Sequence, residues 1–184
     1  MITSNNEFLV PIRLVITDVD GVLTDGGLYY DANGESLKRF HVRDGMGIRM
    51  LEECGIRVAL VSGRDSPPLR KRIEDLKITL AFLGVKDKAS VCFEIMREVA
   101  VSPEQTLFIG DDSIDLSAFA VCGISCTVAD APDYVKNKAT YVLNTRAGFG
   151  AFRELSDAIL RAQGKQDVFE TAEGYTRIMN KMSQ

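Results

Sequence analysis

The sequence has little with which to hold a transition metal through nitrogen or sulfur. Its 184 residues include one histidine, His41, and four cysteines, Cys54, Cys92, Cys122 and Cys126, none of them in a Cys-x-x-Cys pair. The Cys122 to Cys126 spacing does not make a zinc knuckle, and only His41 could add a nitrogen ligand. Set among apolar residues, the cysteines read as reduced core thiols. A basic excess is missing too: 22 Lys+Arg stand against 26 Asp+Glu, a net charge of −4. Without a basic stripe to neutralise phosphates, nucleic acid is excluded as a partner. Long apolar runs are absent as well. The first, Phe8 to Ile16, contains Pro11 and Arg13, has no basic segment before it and falls far short of the ~20 residues of a membrane helix. A soluble cytoplasmic protein with no membrane partner is expected. There is no internal repeat, low-complexity tract or linker, and the length suits one domain with a sizeable core.

What is present is an alternation of apolar runs and helical stretches, the pattern of β-α units on a doubly wound parallel sheet, an α/β fold. Strands are expected at Ile12 to Thr17, Ile56 to Val61, Thr79 to Leu83, Thr106 to Gly110, Ile124 to Val128 and Thr140 to Leu143. Helices are expected at Asp44 to Cys54, stopped by Gly55; from Ser66-Pro67 to about Lys77; after Asp87, with Val91, Ile95, Met96 and Val99 on one face; at Leu116 to Val121; and at Phe149 to Gln163, ended by Gly164. Leu28 to Phe40 alternates around Asn33-Gly34, which is a hairpin signal; His41 is read as a polar residue of that hairpin. The division expected is one domain over residues 1–164 with a hairpin flap at about 27–41, then a polar tail over 165–184 with little apolar surface to anchor it. Flap and tail are candidates for contacts between subunits. Gly26-Gly27 and Gly45-Met46-Gly47 complete no G-x-G-x-x-G pattern and read as turn and helix-entry residues.

The informative residues sit where strands end, the place where open α/β sheets hold ligands. Asp18 and Asp20 follow the first strand and precede Gly21. Two carboxylates so placed repel each other unless a cation or a proton separates them. After the second strand Ser62-Gly63-Arg64 offers a hydroxyl, an open backbone N–H and a cation, which suits a phosphate. Asp111, Asp112 and Asp115 crowd the end of the Thr106 to Gly110 strand, and Lys88 opens a helix. Acids converging on one sheet edge need a hard divalent cation with oxygen ligands, and Mg²⁺ meets that need while leaving room for a phosphate. Lys88 and Ser62 can hold the phosphate oxygens opposite the metal. The constellation reads as phosphoryl transfer through a carboxylate nucleophile.

These segments identify the resemblance. The sequence resembles the haloacid dehalogenase superfamily, whose four motifs occur in order as DVDGVLTDG from Asp18, Ser62 in VSGR, Lys88, and GDDSIDL around Asp111. Within it, TDVDGVLTDGGLYYD, RDGMGI, SGRDS, LGVKDK, GDDSIDL, DAPDYVKNKATYV, GFGAFRE and AQGK resemble the capless phosphatases acting on 3-deoxy-D-manno-octulosonate 8-phosphate, enzymes of outer-membrane saccharide synthesis. The resemblance implies that Asp18 attacks phosphorus and becomes an aspartyl-phosphate. Asp20 protonates the leaving oxygen and then activates water; a Thr there goes with ATPases. It implies Mg²⁺ held by Asp18, the Asp20 carbonyl and Asp111, with Asp112 and Asp115 behind them. Ser62, Gly63 and Lys88 take the phosphoryl group and Arg64 the sugar-acid carboxylate. A homotetramer is implied, the hairpin of one subunit covering the site of another. The gaps between motifs leave no room for a cap domain, so closure of the site has to come from a neighbour or from a large substrate.

Two other readings stay open from the residues. A phosphatase for a nine-carbon, sialic-acid-type keto-acid 9-phosphate differs in substrate alone; Arg64 favours the eight-carbon acid. A phospho-accepting receiver module also places an acid pair, a Ser/Thr and a Lys on a doubly wound sheet, but it would keep its phosphoryl group and lack turnover.

Overall fold

The computed structural model describes residues 6–182, so residues 1–5 and 183–184 of the expected domain and tail lie outside the described residues. Along the chain come β1 (Leu14–Thr17), β2 (Tyr29–Asp31), β3 (Gly34–Leu37), α1 (Val42–Glu53), β4 (Arg57–Ser62), α2 (Pro67–Leu76), β5 (Leu80–Leu83), α3 (Lys88–Glu98), β6 (Thr106–Ile109), α4 (Leu116–Phe119), β7 (Ile124–Thr127), α5 (Asp133–Lys136), β8 (Tyr141–Val142), α6 (Ala151–Ala162), α7 (Asp167–Glu170) and α8 (Ala172–Met182). Six strands make one parallel sheet in the order β5-β4-β1-β6-β7-β8.

Every residue of β1 and β6 is buried. Helices cover both faces of a parallel sheet, so its central strands read as unbroken apolar runs. Here α1 packs on α2, α6 and α8, whereas α3 packs on α4. From β1 the chain winds outward through β4 and β5, then returns to β6 on the other side. The carboxyl ends of β1 and β6 therefore flank the switch point of the sheet, where a crevice opens.

The flap forms as expected: β2 and β3 pair antiparallel, Tyr30 facing Glu35, with Gly34 at φ +115°. His41 differs from expectation. It caps α1, its Nδ1 accepting the Arg43 N–H at 3.3 Å, so the helix starts at Val42 rather than Asp44. An imidazole acceptor satisfies a free first-turn N–H as a Ser or Asp would. Gly45 and Gly47 thus lie inside α1. A Cβ on Gly45 would strike the Arg72 guanidinium of α2, and one on Gly47 would strike Ser156 of α6, so close helix approach is their role.

The tail also differs. Lys165 onward folds back as α7 and α8, burying Val168 and Ile178, with Phe169 beneath the Arg161 guanidinium 5.0 Å from its ring centre. A few apolar anchors and the Arg161–Glu170 ion pair hold it to the domain. No described helix is long and apolar enough to cross a membrane.

Candidate active site

Asp18 leaves β1 with its backbone N–H still donating to the Ile109 carbonyl of β6 at 2.9 Å, so its carboxylate is fixed at the switch point. Lys88, on the first turn of α3, is fully buried; its Nζ lies 2.9 Å from Asp18 Oδ1 and 2.6 Å from Asp115 Oδ1. The other oxygen of Asp115 accepts the backbone N–H groups of Asp111 at 2.9 Å and Asp112 at 3.2 Å. Both oxygens of Asp115 are thereby committed, one to Lys88 and the other to the Asp111 loop. Carboxylate oxygens of Asp18, Asp111 and Asp115 lie within 4.8 Å of one another.

Two glycines make this crowding possible. A Cβ on Gly21, at φ +88°, would collide with the Asp111 carboxylate, and one on Gly110 would collide with Asp115. Glycine tolerates that backbone angle and that approach, where other residues do not.

The cluster has too little positive charge. Burial, then repulsion from Asp115, pushes Asp18 up to about 7 against the pull of Lys88. Burial and repulsion from Asp18, Asp115 and Asp112 push Asp111 up to about 8. One lysine does not balance three acids held this close in a largely buried cluster. All donors here are oxygens, and a hard divalent cation such as Mg²⁺ fits them and supplies the missing charge.

Of the other residues singled out, Ser62 is buried at the end of β4 and its Oγ accepts the Arg64 N–H at 3.1 Å. Gly63 is open, with only Ile114 and the Val85 carbonyl near where a side chain would stand. Arg64 is exposed and reaches toward the flap, 3.5 Å from Glu35 Oε2 and from the Tyr30 hydroxyl. The neighbouring Asp65 pairs with Arg70 rather than with Arg64. Asp112 turns outward, accepting the Tyr134 hydroxyl at 2.6 Å and the Ser113 N–H at 2.6 Å, which hold it below the usual carboxylate range. It touches the cluster only through the backbone turn it shares with Asp111.

Asp20 stands half-exposed beside the cluster and carries a partner that sequence reasoning missed. Lys38, just after β3, forms an ion pair with Asp20 Oδ1 and another with Glu35 Oε1 at 2.9 Å, its side chain 1% exposed. Nothing in the flap's alternation separates this lysine from an ordinary solvated one. Gly110, directly before two acids, was the one readable sign of how tightly the second cluster packs.

A family model for haloacid dehalogenase-like hydrolases matches residues 84–155. The chain is similar to a 3-deoxy-D-manno-octulosonate 8-phosphate phosphatase of Haemophilus influenzae, 61% identical over 173 residues, which are 94% of this chain and 96% of the relative. A cobalt-bound structure of the Haemophilus influenzae phosphatase superposes with a TM-score of 0.90 at 62% identity, over 92% of this chain and 99% of the other. The Moraxella catarrhalis phosphatase, solved with a magnesium ion, a phosphate ion and a KDO molecule, superposes with a TM-score of 0.85 at 31% identity, over 91% and 97%.

Proposed function

From its membership of the 3-deoxy-D-manno-octulosonate 8-phosphate phosphatases of the haloacid dehalogenase superfamily, to which this chain belongs, we infer its reaction: Mg²⁺-dependent hydrolysis of that sugar phosphate to the free octulosonate and phosphate. It is a phosphoric monoester hydrolase. The observation that carries the reading is the pairing of Lys88 with Asp18 at 2.9 Å inside an acidic cluster short of positive charge.

We propose the following roles. An Asp18 oxygen attacks phosphorus, the bond to the sugar oxygen breaks, and Asp20 gives that oxygen its proton. Asp20, now a base, takes a proton from the water that attacks the aspartyl-phosphate, releasing phosphate and restoring Asp18. Lys88, the Ser62 hydroxyl and the Gly63 N–H hold the transferring phosphoryl oxygens, and Arg64 takes the sugar-acid carboxylate. Asp18, the Asp20 backbone carbonyl and Asp111 would hold Mg²⁺, with Asp115 and, through the turn, Asp112 fixing Asp111. Bound there, the ion adds positive charge against the phosphoryl oxygens and keeps Asp18 ionised.

The oligomer is proposed from the flap. Leu28, Tyr29, Tyr30, Leu37 and the neighbouring Val42 are all exposed, with Val42 at 78%, a concentration of apolar surface that suits burial in a homotetramer where one flap lies over a neighbouring site. The four cysteines form no disulfide, which favours the reducing cytoplasm.

Phosphate release from the eight-carbon 8-phosphate and a nine-carbon 9-phosphate, each with and without Mg²⁺, tests the reading. Faster turnover of the eight-carbon ester, dependent on Mg²⁺, is expected. Equal rates in chelator, or preference for the nine-carbon acid, would overturn it.

A further inference from the structure

Lys38 belongs to the flap, yet its ammonium lies not in solvent but against Asp20 of the same chain. Its side chain is 1% exposed, and Glu35 holds the ammonium from the other side at 2.9 Å. Glu35 in turn approaches Arg64 at 3.5 Å with its second oxygen. Thr24 adds a marginal contact, its hydroxyl donating to Asp20 Oδ1 at 3.5 Å. Asp20 follows β1 by three residues in a segment of turns, with Gly21 at φ +88° beside it, so its backbone alone does not fix the direction of its carboxylate.

We propose that Lys38 is the positioning residue for Asp20, and that the flap thereby aims the proton-transfer group of its own subunit. The proposal rests on the role of Asp20 argued above. A general acid has to meet the leaving oxygen within hydrogen-bond reach, and a half-exposed carboxylate with two free torsions meets it only part of the time. Lys38 and Thr24 both engage Oδ1, so Oδ2 is the oxygen the proposal gives to the leaving group. Because Lys38 is anchored by Glu35, which sits opposite Tyr30 in the β2–β3 pairing, the carboxylate's direction depends on the flap being formed. The flap thus has an inward duty in its own subunit, apart from any lid it offers a neighbour.

The test compares two esters on the full-length protein with Mg²⁺. The sugar phosphate leaves as an alkoxide and needs a proton; p-nitrophenyl phosphate leaves as a stable phenolate and does not. In Lys38→Met, kcat/KM for the sugar phosphate is expected to fall about 100-fold, while that for p-nitrophenyl phosphate stays within about threefold. Lys38→Arg, which keeps the cation, is expected to recover most of the loss. Equal falls for both esters, or no fall, would overturn the proposal, because a merely structural lysine does not sense the leaving group. Should Lys38→Met fail to fold, Glu35→Gln is read by the same ratio: a smaller but selective fall supports the proposal, and an unselective one overturns it. Asp20→Asn is run in parallel. Unimpaired sugar-phosphate turnover in that variant would strike the role of Asp20 itself, whereas a dead Asp20→Asn beside a fully active Lys38→Met would strike Lys38 alone.

Discussion

Lys88 and Asp115 pair at 2.6 Å with side chains 1% and 0% exposed, which makes the lysine the sole cation inside the described acidic cluster. Removing it leaves Asp18, Asp111 and Asp115 facing one another. Lys88→Met is therefore expected to lower stability by about 3–5 kcal/mol in chelator, the cost of a buried charge without its partner. Mg²⁺ should restore part of that stability but not turnover. Urea unfolding with and without Mg²⁺ measures it, and an unchanged midpoint in chelator would show the cluster to be already neutral.

Asp18→Asn removes the proposed nucleophile and one of the repelling charges together. Turnover is expected to fall by at least ~1,000-fold, while the metal-free protein becomes more stable and keeps its oligomeric state. Steady-state phosphate release, thermal melting and sedimentation report the three effects separately. A melt lower than that of the parent would contradict the repulsion described for this site.

The pH dependence has a definite sign. Asp18 is raised from 3.8 to about 7 and Asp111 from 3.8 to about 8 in the folded protein without a cation. A group whose folded pKa is raised contributes stability below its unfolded value and loses it as pH rises through the folded one. The Tm in chelator should therefore fall from about pH 4 to about pH 8, where both groups have ionised in the folded state, and Mg²⁺ should flatten that fall by replacing the lost protons. Calorimetry of Mg²⁺ binding near neutral pH in buffers of different ionisation enthalpy should register proton release. Binding without it would rule out protonated carboxylates at the site.

Gly21 and Gly55 separate backbone strain from crowding at the metal site. Both have positive φ, +88° and +80°, but a side chain at Gly55 meets nothing within 4 Å while one at Gly21 collides with Asp111. Each alanine variant should cost about 1–2 kcal/mol for the left-handed backbone. Only Gly21→Ala should also raise the Mg²⁺ concentration needed for half-maximal rate, by about 10-fold or more. Titration of activity with Mg²⁺ checks it, and equal requirements in both variants would remove Gly21 from the site.

The sheet and the acids were legible because both are written in short-range patterns. Buried runs such as Leu14 to Thr17 stop directly at carboxylates, and a parallel sheet brings strand ends together whatever their distance along the chain. Lys38 was not legible. It stands 18 residues from Asp20 in a stretch whose alternation says only that a hairpin forms, and its burial depends on how the flap folds over β1's loop. The tail escaped for another reason: α7 and α8 are held by Val168, Phe169 and Ile178, too few apolar positions to stand out from a polar segment. His41 was misplaced because its capping of α1 uses a ring nitrogen, which propensity alone does not announce.

Asp115 has a consequence for how such an enzyme can change. One of its oxygens holds Lys88 and the other holds the backbone of Asp111, so the Lys88 ammonium and the Asp111 backbone are tied together through a single carboxyl group. Neither can drift without dragging the other. Selection for a new substrate has no purchase there; it can act on the exposed Arg64 turn and on outward flap residues such as Tyr29, Tyr30 and Leu37, while the buried Lys38 stays in place.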